Sequence, residues 1–181
     1  TRNQLLGKIS IENSNQIELR EILEYEQPTN YLVSDTDYSI DTSLTPVLTA
    51  NKSFILGYTN EDWGIYTKGD CIIFDDFTMD LKYVDFPFKV KSSAIKILTA
   101  KEGVNLRFVY EYLCYLNLSS GEHKRHYISE IEPMTIVLPS LKTQNAIAKF
   151  LSNIDTKIEI ELAISKLLIK HKKYLLQNMF I

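Results

Sequence analysis

From Ser140 to Ile181 the chain contains neither glycine nor proline, and its apolar residues recur three and four apart. No other segment narrows the possible folds so far. Pro139 stands just ahead of it, and Ser140 or Thr143 can cap the first turn by accepting a hydrogen bond from a free backbone N–H. A helix running from there to Met179 is about 55 to 60 Å long. That outreaches any domain the remaining residues can build. Ile147, Leu151, Ile154 and Ile158 form an apolar stripe, which Ile160, Ile164, Leu167, Leu168, Tyr174 and Leu175 widen farther on. Lys142, Lys149, Lys157, Lys166, Lys170 and Lys172 lie outside the stripe. An apolar face of this length calls for a partner helix, and its breadth favours packing against more than one.

The 181 residues hold one domain with an extended element, and a hydrophobic content of 45% supports a real core. No run approaches the roughly eighteen uninterrupted apolar residues of a membrane span, and the first residues lack the apolar stretch of a signal peptide. A cytoplasmic protein is expected, and Thr1 in place of methionine reads as a trimmed or excised chain. Cys71 and Cys114 have no partner spacing for a metal or a disulfide framework and read as buried free thiols. The net charge of −3 excludes a uniformly basic nucleic-acid coat. Charge is nevertheless unevenly distributed. Residues 12–26 are acidic, whereas Lys82, Lys89, Lys91, Lys96 and Lys101 crowd the segment 82–101.

Ile17 to Glu26 has helical spacing that Gln27-Pro28 would end, so a first helix is expected there. Between Tyr31 and Leu98 the pattern changes to short runs rich in valine, isoleucine, tyrosine and threonine, among them PVLTA, SFILGYT, CIIFDDF and AIKIL. These read as strands separated by Asp, Asn, Gly and Pro. Asn105 to Leu116 reads as a helix with Leu106, Val109, Tyr110, Leu113 and Leu116 on its core face, and HYISEI and MTIVLP read as two further strands. The expected fold is therefore α+β. A mostly β domain with short helices occupies residues 1–139, and one long coiled-coil-type helix occupies residues 140–181.

Sites of chemistry are few. DFPF, residues 85–88, lacks the first proline of the loop with which amino-methyltransferases hold a flipped adenine, and no Gly-x-Gly turn follows a strand to cradle a cofactor. Asp75, Asp76, Asp85, Lys89 and Lys91 could supply the carboxylates and lysine of a metal-dependent nuclease, but Val90 stands where the second acidic residue belongs. Asp75 and Asp76 read instead as the end of a strand, accepting backbone hydrogen bonds in a turn. His123 and His126 have no third ligand nearby. No catalytic residue, metal or cofactor is expected. What remains suits binding: Lys89, Lys91, Ser92 and Ser93 in one segment, and His123, Lys124, Arg125, His126 and Tyr127 in another. Lysine and serine suit phosphate oxygens, and an arginine fork suits a guanine edge.

Two blocks carry a family resemblance. TPVLTANKSFILGYTNE, with IIFDDFT and VDFPFKVKSSAIKIL, resembles a target recognition domain of the specificity (S) subunits of type I restriction-modification enzymes. IVLPSLKTQNAIAKFLSNIDTKIE resembles that family's helix motif Pro-x-Leu-x-x-Gln-x-x-Ile-Ala-x-x-Leu-x-x-x-Asp, with Thr143 where the family often has Glu. The resemblance implies a non-catalytic protein that reads double-stranded DNA. A full S subunit carries two recognition domains joined by two antiparallel helices; the helices set the spacing of a bipartite target and dock the modification (M) subunits, and through them the restriction (R) subunits. Lys52 and Tyr58, within the first block, join the expected DNA contacts, and because the long helix outreaches its own domain Ile147, Leu151, Ile154, Ile158, Leu168 and Leu175 form the expected antiparallel helix interface of a homodimer. A stand-alone metal-dependent nuclease or other DNA-modifying enzyme is the alternative.

Overall fold

The structure is a computed structural model that describes residues 15–50, 53–119 and 125–179. Strand β1 (Gln16–Glu18), a single turn α1 (Leu19–Ile22) and β2 (Leu23–Glu26) open it, followed by a 3-10 turn at Pro28–Tyr31. Then come β3 (Thr45–Leu48), β4 (Ile55–Thr59), β5 (Cys71–Asp75), β6 (Leu81–Val84), β7 (Lys89–Val90) and β8 (Ile95–Ala100). Helix α2 (Leu106–Leu116), a π-helical turn (Tyr127–Ile131), β9 (Thr135–Val137) and helix α3 (Leu141–Met179) complete the order.

The central sheet, β2-β8-β5-β6, is antiparallel throughout. Strand alternation divides its side chains between two cores. Ile72, Phe74 and Leu98 face α2 and the start of α3, where they meet Phe108, Val109, Leu113, Ile147 and Leu151. Cys71, Ile73, Ile95 and Ile97 point the other way, onto Leu48 and Val90 of the smaller sheet β4-β3-β7 and onto Phe88 just before β7. Burial on both faces explains why CIIF, the first four residues of β5, is apolar without interruption. β1 and β9 form a separate antiparallel pair that holds the segment before α1 beside the one before α3.

Two expected elements take other forms. The helix expected from Ile17 to Glu26 is one helical turn between two strands, because Leu23–Glu26 pairs residue for residue with Ala100–Ile97 of β8. Ten residues make a marginal helix alone, and the sheet ladder outweighs their spacing. HYISEI is likewise a π-helical turn, not a strand: the His126 carbonyl accepts from the N–H groups of Glu130 and Ile131, which buries Tyr127 and Ile131 four apart. Helix α2 forms where expected, with Asn105 capping it through the Phe108 N–H, but its buried face is turned toward Phe108 and Tyr112. Cys71 is buried, and Cys114 is only partly so.

Ser140 is the cap of α3, its hydroxyl accepting from the Thr143 N–H at 3.3 Å. The positions that match the family's helix motif are the ones that fasten α3 to the domain. Buried Gln144 accepts from the Asn105 N–H at 2.8 Å and donates to the Pro139 carbonyl at 2.8 Å. Ile147, Ala148 and Leu151 enter the core. Asp155 pairs with Arg107, which also binds Glu111 and lies over the rings of Tyr83 and Tyr110. Beyond that point α3 leaves the domain. Ile154, Ile158, Leu168 and Leu175 are 39%, 51%, 62% and 43% exposed.

Candidate nucleic-acid interface

Three segments distant in sequence converge at one end of the central sheet, beyond the inner strands β5 and β8. They are the turn that ends β5 (Asp75–Thr78), the loop between β7 and β8 (Lys91–Ala94) and the segment entering the π-helical turn (Arg125–Tyr127). Asp76 joins them. Its N–H donates to the Ala94 carbonyl at 3.0 Å, and its own carbonyl accepts from the His126 N–H at 3.0 Å. One carboxylate oxygen accepts from the N–H groups of His126 at 3.1 Å and Tyr127 at 2.8 Å. The other faces the Lys96 ammonium at 3.4 Å, and Lys96 also donates to the Gln27 side chain at 3.1 Å. Asp76 and Lys96 are both buried. Neighbouring Asp75 accepts from the N–H groups of Phe77 and Thr78, as a strand-ending turn requires.

Lys91 and Ser93 are exposed at this end, and Ser92 is half-buried, its hydroxyl accepting from the Ala94 N–H. Arg125 is exposed, with its guanidinium 6.0 Å from the Phe77 ring centre. A groove of about 610 Å³ runs beside the loop, lined by Thr49, Ser53, Leu56, Asp75, Asp80, Lys91 and Ser92. Lys91, Ser92, Ser93 and Arg125, chosen from two separate stretches of sequence, therefore share one surface. Half-buried Tyr58 lies on β4, beside a second groove lined by Pro46, Ile55, Phe86 and Pro87. Lys52, His123 and Lys124 lie outside the described residues.

The structure removes three expected DNA contacts from this surface. Lys89 is fully buried, pairing with Glu61 at 2.6 Å, donating to the Trp63 carbonyl at 2.7 Å and lying 3.7 Å from the centre of the Trp63 ring. β7 ends at Val90, so Lys91 opens the following loop and faces water, whereas Lys89, still within the strand, does not. Burial pushes the Glu61 carboxyl upward, but bonds from Lys89 and the Ser34 and Asp35 N–H groups outweigh it and hold the group below the usual glutamate range. His126 is buried beside Glu130, and Tyr127 packs among Tyr25 and Phe74. Two of the six expected interface positions on α3 are corrected too: Ile147 and Leu151 belong to the chain's own core.

The sequence reading placed Asp76 in a strand-ending turn but missed its bonds to His126 and Tyr127, and it gave no structural role to Lys96 or Arg107. No local pattern marks a carboxylate that binds amides fifty residues away; its lodging after an unbroken apolar strand was the one available sign.

The nuclease alternative finds no support in this arrangement, because the Asp75 and Asp76 carboxylates are engaged with backbone amides and Lys96, and Lys89 lies in the other core. Among the described residues no group of three or more His, Cys, Asp or Glu could hold a metal ion, and no helix is long and apolar enough to cross a membrane.

Comparison with known proteins places this architecture. The family model for the type I restriction modification DNA specificity domain matches residues 11–169. The chain is 43% identical over 184 residues to the type I restriction enzyme EcoR124I/EcoR124II specificity subunit of Escherichia coli, covering 94% of this chain and 44% of that protein. Its fold resembles the type I restriction-modification S subunit from M. genitalium, with a TM-score of 0.69 at 15% identity over 93% of this chain and 50% of that one. The HsdS subunit from Thermoanaerobacter tengcongensis gives a TM-score of 0.56 at 14% identity over 87% and 43% of the two chains. The chain thus spans less than half the length of the Escherichia coli relative and half or less of these two solved structures. With the family model matched from the acidic N-terminal segment well into α3, the chain belongs to the family of type I restriction-modification DNA specificity domains.

Proposed function

We propose that this chain is a non-catalytic DNA-recognition module that reads one half of a bipartite duplex target and directs modification subunits, and through them restriction subunits, to it in the cytoplasm. Residues 1–139 form the recognition domain and residues 140–181 the spacer. The observation that carries the reading is the convergence of Lys91, Ser92, Ser93 and Arg125 at one exposed end of a domain of this family. Lys91 and the serines suit phosphate oxygens, Arg125 suits a guanine edge, and Tyr58, Lys52, His123 and Lys124 are further DNA contacts in this reading. Because the chain is acidic overall, binding rests on this local set of cations and falls steeply with salt.

The exposed face of α3 supports the second half of the proposal. Ile154, Ile158, Leu168 and Leu175 pair antiparallel with the same face of a second copy, placing one recognition domain at each end, and modification subunits dock on the paired helices. The test is selection of duplexes from a random-sequence pool by the purified chain, followed by affinity measurements across a salt series. An interrupted palindrome is expected. Recovery of no preferred sequence, with affinity indifferent to salt, would remove the proposal.

A further inference from the structure

We propose that Asp76 is a positioning residue for DNA reading: its buried carboxylate, compensated by Lys96, presets the segment bearing Arg125 against the Lys91–Ser93 loop. This rests on the reading of that end as the DNA-binding surface. The Lys91–Ser93 loop reaches Asp76 through the Ala94 carbonyl, and the Arg125 segment reaches it through two backbone N–H groups. Both phosphate-facing and base-facing groups are thereby referred to one atom set. A discrimination between bases depends on an arginine fork held within a fraction of an ångström of its partner, so the segment's placement matters more to specificity than to general attraction.

The ion pair itself argues for this role. Asp76 and Lys96 are 2% and 1% exposed, and an apolar pair of similar volume commonly stabilises an interior at least as well as buried opposite charges do. What an apolar pair cannot do is accept two N–H groups from the reading segment. Lys96 lies between Asp76, Gln27 and the Tyr25 ring, and the Tyr25 ring in turn packs on Tyr127 at 5.2 Å. The carboxylate and the residue it positions are thus held from both sides.

The test uses the whole chain with a duplex that the unaltered protein has selected from a random pool, compared with a scrambled duplex. Asp76→Ala is expected to speed hydrogen exchange at the His126 and Tyr127 amides and to lower the selected-to-scrambled affinity ratio by about tenfold or more. Binding to the scrambled duplex should stay within about twofold, because Lys91 and Arg125 keep their charges. Asp76→Asn keeps an oxygen acceptor for the two amides and should recover most of the ratio when combined with Lys96→Met, which removes the ammonium left without its counter-charge. An unchanged ratio in Asp76→Ala overturns the inference, and so does an equal loss on both duplexes. If Asp76→Ala does not fold, the Asp76→Asn/Lys96→Met chain decides: a ratio near that of the unaltered protein supports the role, and a lost ratio with the amides still protected overturns it. Failure of the DNA reading itself is distinguishable, since the unaltered chain would then select no sequence.

Discussion

Lys89 and Lys91 lie two residues apart, yet one is enclosed by Glu61 and Trp63 and the other faces water. Substitutions at the two should therefore report different things. Lys91→Ala is expected to weaken all duplexes alike and to reduce the slope of log affinity against log salt by about 0.9. Arg125→Ala should weaken the selected duplex by a further 1 to 3 kcal/mol or so relative to a scrambled one, read by fluorescence anisotropy. Glu61 permits a pH test. Its folded-state pKa is depressed below the usual 4.5, so the folded state binds its proton less readily than the unfolded chain does. The resulting stability is complete above the unfolded value and is lost as pH falls through the folded one. Melting temperatures from about pH 6 down to about pH 3 should show Glu61→Gln less stable at the upper end, with a Lys89 ammonium left unpaired, and less sensitive to acidification than the unaltered chain.

At the scale of elements, the junction of α2 and α3 decides how the long helix leaves the domain. Gln144, Ile147, Ala148, Leu151 and Asp155 recur three and four apart, and each touches the domain through the core, Asn105 or Arg107. The first turns of α3 are consequently part of the globular core, and the exposed apolar face begins near Ile154. Leu151→Ala removes a fully buried side chain and should cost about 2 to 5 kcal/mol in denaturant unfolding. Ile158→Ala, on the half-exposed side, should cost the isolated chain far less at high dilution. An equal cost at both positions would mean that the exposed face is already covered.

At the scale of the whole molecule, α3 carries an exposed apolar face well beyond the domain. A helix of 39 residues spans about 58 Å, and only its first third is packed on the chain itself. Leaving each large apolar side chain in water forgoes roughly 1.5 to 3 kcal/mol relative to burial, so the face from Ile154 to Leu175 favours association. Replacing Ile154 and Ile158 with Glu is expected to give monomers in sedimentation, with weak half-site binding but without two-site affinity, because tethering no longer raises the effective concentration of the second domain. An unaltered chain that stays monomeric at tens of micromolar, roughly the threshold for a pairing of about 7 kcal/mol, would assign the face to another partner.

The α+β class, the long C-terminal helix and the strands β3, β4, β5 and β8 were legible because each rests on a local property: periodicity, β-branched content or an absence of helix breakers. The family resemblance was legible for a related reason, since the helix motif has fixed spacings that survive as text. Tertiary structure alone decided the sides. It turned Lys89 inward and Lys91 outward, converted Ile17–Glu26 from a helix into strand, turn and strand through pairing with β8, and drew Ile147 and Leu151 into the core. It also brought Asp76 to Tyr127, two groups fifty-one positions apart. Local pattern specifies how a segment can bury apolar surface, whereas which neighbour receives it, and which charges that encloses, depends on contacts between segments that no single window contains.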